Sequence, residues 1–503
     1  MDTRPHLPEP HVCEQARLSR DARFDGLFFT AVTSTGIYCR PVCPARAPKR
    51  ENVRYYANAA AAEAGGFRPC LRCRPELAPG NEEWQRGDHV VARALKLIDA
   101  GVLVDQSLGE LAREAGVGPR QLRRLFVDHV GASPFSLHTT RRLLFARQLL
   151  TETALPVTEV ALASGFRSLR RFNAAFLQAN RIPPRELRRY PRSAPGSPLL
   201  LRLGYRPPYA FDEVLGFLRT RALPGVERVD EHGYARVFGS SDAPGWLHLS
   251  AAPAGANALQ LQLHCPHSAN LLGVVTTLRR MFDLDANPQS IAETFARDDL
   301  LGPLIARRPG LRLPGGWDGF EIAVRAILGQ QISVAAARTL ATRIVHRWGE
   351  PLPTALLPGL ERLFPTPAAL AHADLREIGV TTARAATIRG VAQAMLDGRV
   401  DFRAGQPLDA FVARWIALPG IGEWTAHYMA MRALSHPDAF PAGDLVLRRE
   451  AGTESGPLTT RGLITRADAW RPWRAYAVMH LWRGTADAKA LKESIRKTSE
   501  ESA

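Results

Sequence analysis

The chain has 503 residues, which exceeds the size at which a single hydrophobic core stops growing, so we expect three or four folded domains. A formal net charge of +16 and a pI near 10.2 favour a polyanionic partner, with nucleic acid as the first candidate. The sequence shows neither a membrane-spanning apolar run nor a secretory signal core, which argues against a membrane protein and predicts a cytoplasmic one.

The first feature in chain order is a cluster of cysteines. Four of the six cysteines lie between residues 39 and 73, as a C-x3-C pair followed by a C-x2-C pair. In a reducing cytoplasm this grouping favours a metal site over disulfides, and two such pairs are typical of tetrahedral zinc. The sequence therefore predicts one Zn2+ ion bound by Cys39, Cys43, Cys70 and Cys73.

The stretches "TGIYCRPVCPAR", "KREN" and "GFRPCLRCRP" around these cysteines resemble the N-terminal zinc domain of the Ada DNA-repair family, and we assign residues 1–80 to this module. The resemblance implies that Cys39 both binds zinc and accepts a methyl group from a methylated DNA phosphate. Zinc keeps the sulfurs as nucleophilic thiolates, and methylation of one lowers the negative charge of the site. Arg40 and Arg46 give a basic setting that suits the DNA backbone. A purely structural zinc site is the alternative.

A helical segment follows, with two similar helix-turn-helix patterns, "SLGELAREAGVGPRQLRRLF" at 107–126 and "PVTEVALASGFRSLRRFNAAF" at 156–176. In the first pattern, Pro119 fits the first turn of the second helix. Both second helices are basic, and with "RIPPRELRR" the segment resembles the AraC-type DNA-binding domain, which we place at 85–190. Solvated arginine-rich helices of a non-specific anchor are the alternative. The side chains expected to face the groove or the phosphates are Arg120, Gln121, Arg124, Arg167 and Arg170.

The C-terminal half divides into a predicted α+β lobe at 199–282 and a predicted all-helical body at 283–492. Within the body, "LPGIGEWTAHYMAMRALSHPDAFPAGDLVLRR" at 418–449 places Gly420 and Gly422 in a tight turn between two helical patterns. Backbone N–H groups at the start of the second helix could hold a DNA phosphate. This hairpin and further stretches, such as "FDLDANP" and "WRPWRAYAVMHLW", resemble the type II 3-methyladenine DNA glycosylases over about residues 200–485.

The resemblance to the glycosylases implies roles for several side chains. Asp444 would be the carboxylate that stabilises oxocarbenium charge at C1′ and orients a water, with Asp438 and Glu450 as competing carboxylates. A flipped, cationic alkylated base would stack on aromatic faces, although aromatics at helical spacing also suit a core. The expected pocket residues are Trp424, Tyr428 and Trp482, and the residue that fills the gap left by the base is Gln331 or Ile332.

Two differences from related glycosylases indicate which reaction the chain catalyses. Trp424 stands where enzymes that also cleave the backbone carry a Schiff-base lysine, and no cysteine follows Cys265 to hold an iron–sulfur cluster. We therefore predict hydrolysis alone. The segment 449–463 resembles a loop where the family continues in helix, which affects the geometry behind Asp444.

These features predict a multidomain, mainly α protein with a small α+β zinc domain, a double helix-turn-helix, an α+β lobe and an all-α helix-hairpin-helix body. It would act as a monomer on duplex DNA, with RNA polymerase as a further partner. Its glycosylase would remove alkylated purines of the 3-methyladenine and 7-methylguanine class, and its Cys39 would take methyl groups from methylphosphotriesters and switch on transcription. One alternative is a transcription regulator whose glycosylase half only binds damaged DNA. Another is a zinc-stabilised structural DNA binder.

Overall fold

The computed structural model describes residues 7–80, 89–188, 197–452 and 456–485. None of the helices in these ranges combines the length and the apolarity that crossing a membrane requires. The N-terminal elements are α1 (Pro10–Ser19), β1 (Phe29–Val32), β2 (Ile37–Cys39), β3 (Val53–Tyr56), α2 (Ala59–Ala64) and β4 (Arg68–Pro69). The strands form one sheet in the order β3-β1-β2-β4, in which only β2 and β4 pair in parallel.

Eight helices follow in the next described range, and they include both helix-turn-helix patterns. In the first pattern, Ser107 and Glu110 form a reciprocal capping box, and Gly116 ends the helix in the left-handed conformation. The second helix then begins at Pro119, as predicted, and buries Leu122 and Phe126. The helices are α3 (His89–Asp99), α4 (Val102–Asp105), α5 (Leu108–Ala115), α6 (Pro119–Val130), α7 (Pro134–Glu152), α8 (Val157–Ala163), α9 (Leu169–Asn180) and α10 (Pro184–Leu187).

The predicted α+β lobe contains a five-stranded antiparallel sheet. Buried and less buried residues alternate along its central strands, so one face packs inward against helices. The elements are β5 (Leu199–Gly204), α11 (Phe211–Arg219), β6 (Glu227–Val229), β7 (Tyr234–Gly239), β8 (Pro244–Ala251), β9 (Ala258–His264) and α12 (Leu271–Met281). The strand order is β5-β9-β8-β7-β6.

The remaining described elements are helices, as the sequence predicts, and they surround a large core with Trp415 and Trp470 among its buried side chains. The connection over 349–366 also contains isolated β-bridges. The helices are α13 (Pro288–Phe295), α14 (Leu301–Arg307), α15 (Gly319–Leu328), α16 (Val334–Trp348), α17 (Pro367–Ala371), α18 (Thr382–Leu396), α19 (Leu408–Ile416), α20 (Glu423–Ala433), α21 (Leu445–Glu450), α22 (Thr460–Ala467) and α23 (474–485). The loop predicted over 449–463 is shorter than expected, because α21 continues to Glu450 and α22 begins at Thr460.

One hydrophobic core crosses a predicted domain boundary. Buried Phe145 and Phe176, from α7 and α9, belong to the same cluster as Leu201 and Leu261 of the five-stranded sheet. The division into 1–80, 85–190, 199–282 and 283–492 stays a prediction about functional modules, and packing is continuous between the second and the third.

Candidate metal centre and DNA-binding sites

The four predicted metal ligands come together at the carboxyl ends of two parallel strands. β2 ends at Cys39, and Cys70 directly follows β4. A tight turn after β2 returns Cys43, whose N–H donates to the carbonyl of Arg40 at 3.2 Å. The pairing of β2 with β4 therefore brings together two cysteine pairs that are distant in the sequence.

The geometry of the four sulfurs fits zinc. They all lie within 4.8 Å of one another, and tetrahedral zinc with Zn–S bonds of about 2.3 Å needs sulfurs about 3.8 Å apart. The N–H groups of Arg40 and Arg72 donate to sulfurs at 3.3 Å. Cys70 and Cys73 are buried, whereas Cys39 and Cys43 are partly exposed. The site fits one zinc ion, and Cys39 and Cys43 are its two partly exposed residues.

Arg40 has partners inside the protein, and its DNA contact stays a prediction. The guanidinium of Arg40 pairs with the buried carboxylate of Asp25 and donates to the carbonyl of Cys73 at 3.1 Å, and only 15% of the side chain is exposed. Arg40 therefore holds the turn that carries Cys73. Arg46 is exposed, and its DNA contact stays a prediction.

The predicted reading residues of the helix-turn-helix segment lie on exposed surfaces of the second helix of each pattern or directly before it. On the opposite face, α6 buries Leu122 and Phe126, and α9 buries Phe172 and Phe176. The exposed residues are Arg120, Gln121 and Arg124 in α6, Arg167 just before α9, and Arg170 in α9.

The predicted hairpin lies between α19 and α20, at the surface. Gly420 has a φ of +84°, and a Cβ at this position would lie 2.0 Å from Oγ1 of Thr387 in α18. Gly422 is the N-cap of α20 and is exposed. The first N–H groups of α20 therefore begin at an open surface, as an anion-binding helix start requires.

Asp444 accepts hydrogen bonds from four N–H groups. As the N-cap of α21, its Oδ1 accepts from the N–H groups of Val446 at 2.9 Å and Leu447 at 3.1 Å. The indole N–H of Trp424 donates to Oδ2 at 3.0 Å, and that of Trp482 approaches Oδ1 at 3.4 Å. These contacts fix the orientation of the carboxylate between two aromatic side chains.

The three predicted aromatic residues form one partly exposed group. The rings of Trp424 and Tyr428 stack with centroids 5.2 Å apart, and the ring of Trp482 is 6.3 Å from that of Tyr428. The hydroxyl of Tyr428 accepts from Arg432 at 3.0 Å. Burial opposes ionisation of Tyr428, but the positive charges of Arg432 and Arg221 outweigh it and lower the pKa of the phenol. The group thus combines aromatic faces with positive charges next to the hydroxyl of Tyr428.

Gln331 lies at the tip of the loop between α15 and α16. It is exposed and has a φ of +57°, a conformation that non-glycine residues rarely adopt, whereas Ile332 is partly buried. The sequence analysis missed its neighbour Gln330. The side-chain amide of Gln330 donates to the carbonyl of Gly420 at 3.0 Å and to Oγ1 of Thr425 at 3.1 Å. Gln330 thereby joins this loop to the hairpin.

The competing carboxylates occupy different surroundings. Asp438 pairs with Arg474 at 2.7 Å and also with Arg471, so it has the structural role of an arginine partner. Glu450 is the last residue of α21, one helix length from the N-cap that holds Asp444. Of the three, Asp444 is the carboxylate that contacts the aromatic group.

Four protein-family models match successive parts of the chain. They are the metal binding domain of Ada at residues 12–76, a helix-turn-helix domain at 111–190, the AlkA N-terminal domain at 200–318, and the HhH-GPD superfamily of base excision DNA repair proteins at 324–474. Together with the fold and the sites above, they define a DNA-repair protein fused to a metal-binding and helix-turn-helix unit.

Similar proteins identify the family within this class. A Mycobacterium tuberculosis (strain H37Rv) protein named "probable bifunctional transcriptional activator/DNA repair enzyme AlkA" is 40% identical over 93% of this chain and 95% of its own length. The chain belongs to this family of bifunctional transcriptional activator/DNA repair enzymes. DNA-3-methyladenine glycosylase 2 of Escherichia coli K12 is 36% identical over 56% of this chain and 95% of its own length. The bifunctional transcriptional activator/DNA repair enzyme Ada of the same organism is 40% identical over 30% of this chain and 41% of its own length.

Proposed function

We propose that the chain excises alkylated purines from duplex DNA, takes methyl groups from methylphosphotriesters onto Cys39, and activates transcription in response. The observation that carries the excision activity is the carboxylate of Asp444, held by the indole N–H groups of Trp424 and Trp482 beside the aromatic group. A carboxylate at this position can stabilise positive charge on a sugar whose base has entered the pocket.

The excision step follows from the chemistry of an N-alkylated purine. Its glycosidic bond breaks with both electrons going to the base nitrogen, so the cationic base leaves neutral while C1′ becomes electron-poor. Asp444 stabilises the charge at C1′ and orients a water whose oxygen forms the new bond, and the proton that this water loses passes to solvent. The chain has a tryptophan, Trp424, where a Schiff-base mechanism needs an amine, and the proposed reaction is hydrolysis alone.

DNA recognition is assigned to three surfaces. The first N–H groups of α20 would hold a phosphate beside the lesion, and Gln331 would fill the gap left by the flipped base. The basic second helices of the helix-turn-helix patterns would enter the major groove at a promoter, with Arg46 near the backbone. The exposed residues proposed for the groove are Arg120, Gln121, Arg124, Arg167 and Arg170.

The methyl transfer is assigned to the zinc site. Bound zinc keeps the four sulfurs as thiolates. The Cys39 thiolate attacks the methyl carbon, an S–C bond forms, and the C–O bond breaks with its electron pair returning to the phosphate oxygen. The partial exposure of Cys39 supports this assignment, and Cys43 is partly exposed too. RNA polymerase as a partner and a monomeric state complete the proposal.

A base-release assay with two matched variants tests the excision activity. On duplex DNA containing 3-methyladenine and 7-methylguanine, Asp444→Asn should lose about 100-fold or more of the rate. Glu450→Gln, the same carboxylate-to-amide change in the same helix, should keep the rate within about threefold. Full activity in Asp444→Asn would overturn the role proposed for Asp444. No release by the wild-type chain would show that this half only binds damaged DNA.

A further inference from the structure

The carboxylate of Glu152, the last residue of α7, lies where three parts of the chain meet. Its Oε1 accepts from Arg74, the residue after the metal ligand Cys73, at 3.1 Å and from the guanidinium of Arg202 in β5 at 2.8 Å. Its Oε2 accepts from the backbone N–H of Arg202 at 3.0 Å and from Gln148 at 2.9 Å. The side chain of Glu152 is 7% exposed. One buried carboxylate therefore joins the zinc module, the helix-turn-helix segment and the five-stranded sheet.

Arg74 is fixed from several sides. It is buried, and its guanidinium also donates to Glu76 at 3.0 Å and to Oγ1 of Thr151 in α7 at 2.6 Å. Because Arg74 directly follows Cys73, the metal-binding turn and this ion-pair network share one stretch of backbone. A metal that orders the turn also positions Arg74 for Glu152.

The backbone of residues 77–80 forms a second connection between the zinc module and the lobe. The N–H of Gly80 donates at 2.6 Å to Asp285, which lies just after the lobe, and its carbonyl accepts from the fully buried Arg206 of the lobe. The carbonyl of Leu77 would lie 2.3 Å from a Cβ at Gly204, at the end of β5. This stretch therefore runs in close backbone contact with the lobe.

The helix-turn-helix segment adds an apolar interface to these polar contacts, since its α7 and α9 share a hydrophobic core with the sheet of the lobe. Burial of this kind is what makes two modules unfold together. Two separate Escherichia coli proteins, an Ada enzyme and a 3-methyladenine glycosylase, match 30% and 56% of this chain. In this chain the two parts are in contact.

We propose that the zinc module and the glycosylase form one cooperative folding unit through the Glu152 interface, so that zinc binding in the first stabilises the second. Zinc binds the folded module, and linkage passes its stabilisation to whatever unfolds with that module. When the metal is lost, the turn that carries Cys73 is no longer held in place, and the ion pair between Arg74 and Glu152 breaks. The lobe then loses one of the contacts that stabilise it.

Tryptophan fluorescence reports this coupling, because eight of the nine tryptophans lie at residue 246 or beyond. Thermal unfolding of the full chain would be followed before and after removal of zinc with a chelator, with zinc content measured on each sample. We expect the tryptophan transition of the wild-type chain to fall by about 5 °C or more on zinc removal. In Glu152→Gln, that zinc-dependent shift should shrink to less than half.

Two further variants keep the test decisive if Glu152→Gln folds poorly. Arg202→Met removes the glycosylase side of the ion pair at a side chain that is 46% exposed, and it should also halve the shift. Arg399→Met removes an arginine of similar exposure, 56%, which pairs with Asp397 in the helical body and not with Glu152, and it should keep the full shift. A wild-type transition that ignores zinc, or an undiminished shift in Arg202→Met, would overturn the proposal. The zinc content shows separately whether the metal site itself has failed.

Discussion

Serine substitutions at the two glycines of the hairpin should have opposite consequences, although both glycines belong to one turn. Gly420 has a φ of +84°, and a Cβ there would lie 2.0 Å from Oγ1 of Thr387. Gly422 has a φ of −94°, and among the described residues nothing lies within 4 Å of the position of its Cβ. The same change therefore meets a crowded, left-handed backbone at one position and open space at the other.

The structure sets the size of the two effects. The left-handed conformation costs a residue with a Cβ about 1–2 kcal/mol, and displacing a packed neighbour adds about 1–3 kcal/mol. Gly420→Ser should lower the free energy of unfolding by about 3 kcal/mol, which corresponds to about 9 °C in Tm. Gly422→Ser should change it by less than about 0.5 kcal/mol or raise it, because serine is a favoured N-cap residue.

Urea denaturation of the two variants, followed by tryptophan fluorescence, measures these free energies. Adding Thr387→Ala to Gly420→Ser removes the hydroxyl at 2.0 Å and should recover the steric part of the loss, while the backbone part remains. Equal losses in the two serine variants, or a Gly420→Ser protein as stable as the wild type, would refute the reasoning about this turn.

Three other substitutions test the pocket, its loop and a buried histidine. Gln330→Ala removes two hydrogen bonds to the hairpin and should lower kcat for base release about tenfold. An unchanged kcat would show that these hydrogen bonds do not contribute to catalysis. Trp424→Phe keeps an aromatic face but removes the N–H donated to Asp444, so single-turnover release should fall about tenfold, whereas equal rates would contradict the importance of this contact. Burial and the charge of Arg142 lower the pKa of His138 to about 4. Because this histidine is protonated at a higher pH in the unfolded state than in the folded state, stability is lost as the pH falls from about 6.5 to 4. His138→Leu should remove up to about 3 kcal/mol of that loss in urea titrations at several pH values, and an unaltered pH dependence would contradict it.

The zinc site could be predicted from the sequence because residue type and spacing identify its ligands. The sequence does not say which sulfurs are exposed, since that depends on the parallel pairing of β2 with β4. The orientation of the Arg40 side chain could not be predicted from the sequence for the same reason. A basic residue between two cysteines suggests a DNA contact, but its partner Asp25 is distant in the sequence, and the pairing turns the guanidinium inward.

In the glycosylase site, local sequence patterns identify some of the residues and not others. The hairpin glycines and Asp444 are recognisable from the stretch that carries them, and the structure shows that Asp444 lies beside Trp424. Gln330 and Glu152 could not be found in this way. Their contacts join residues far apart in the chain, and a glutamine in a loop or a glutamate at a helix end carries no local sign of such a role.

The central claim is that one chain carries two separate alkylation-repair activities, and a single incubation with methylated duplex DNA tests it most directly. Free bases would be quantified from the supernatant, and the tryptic peptide containing Cys39 would be weighed by mass spectrometry. We predict that Cys39→Ala releases bases without gaining a methyl group, that Asp444→Asn gains the methyl group without releasing bases, and that the wild type does both. A methyl group on Cys43 in place of Cys39, or unimpaired base release by Asp444→Asn, would contradict the account.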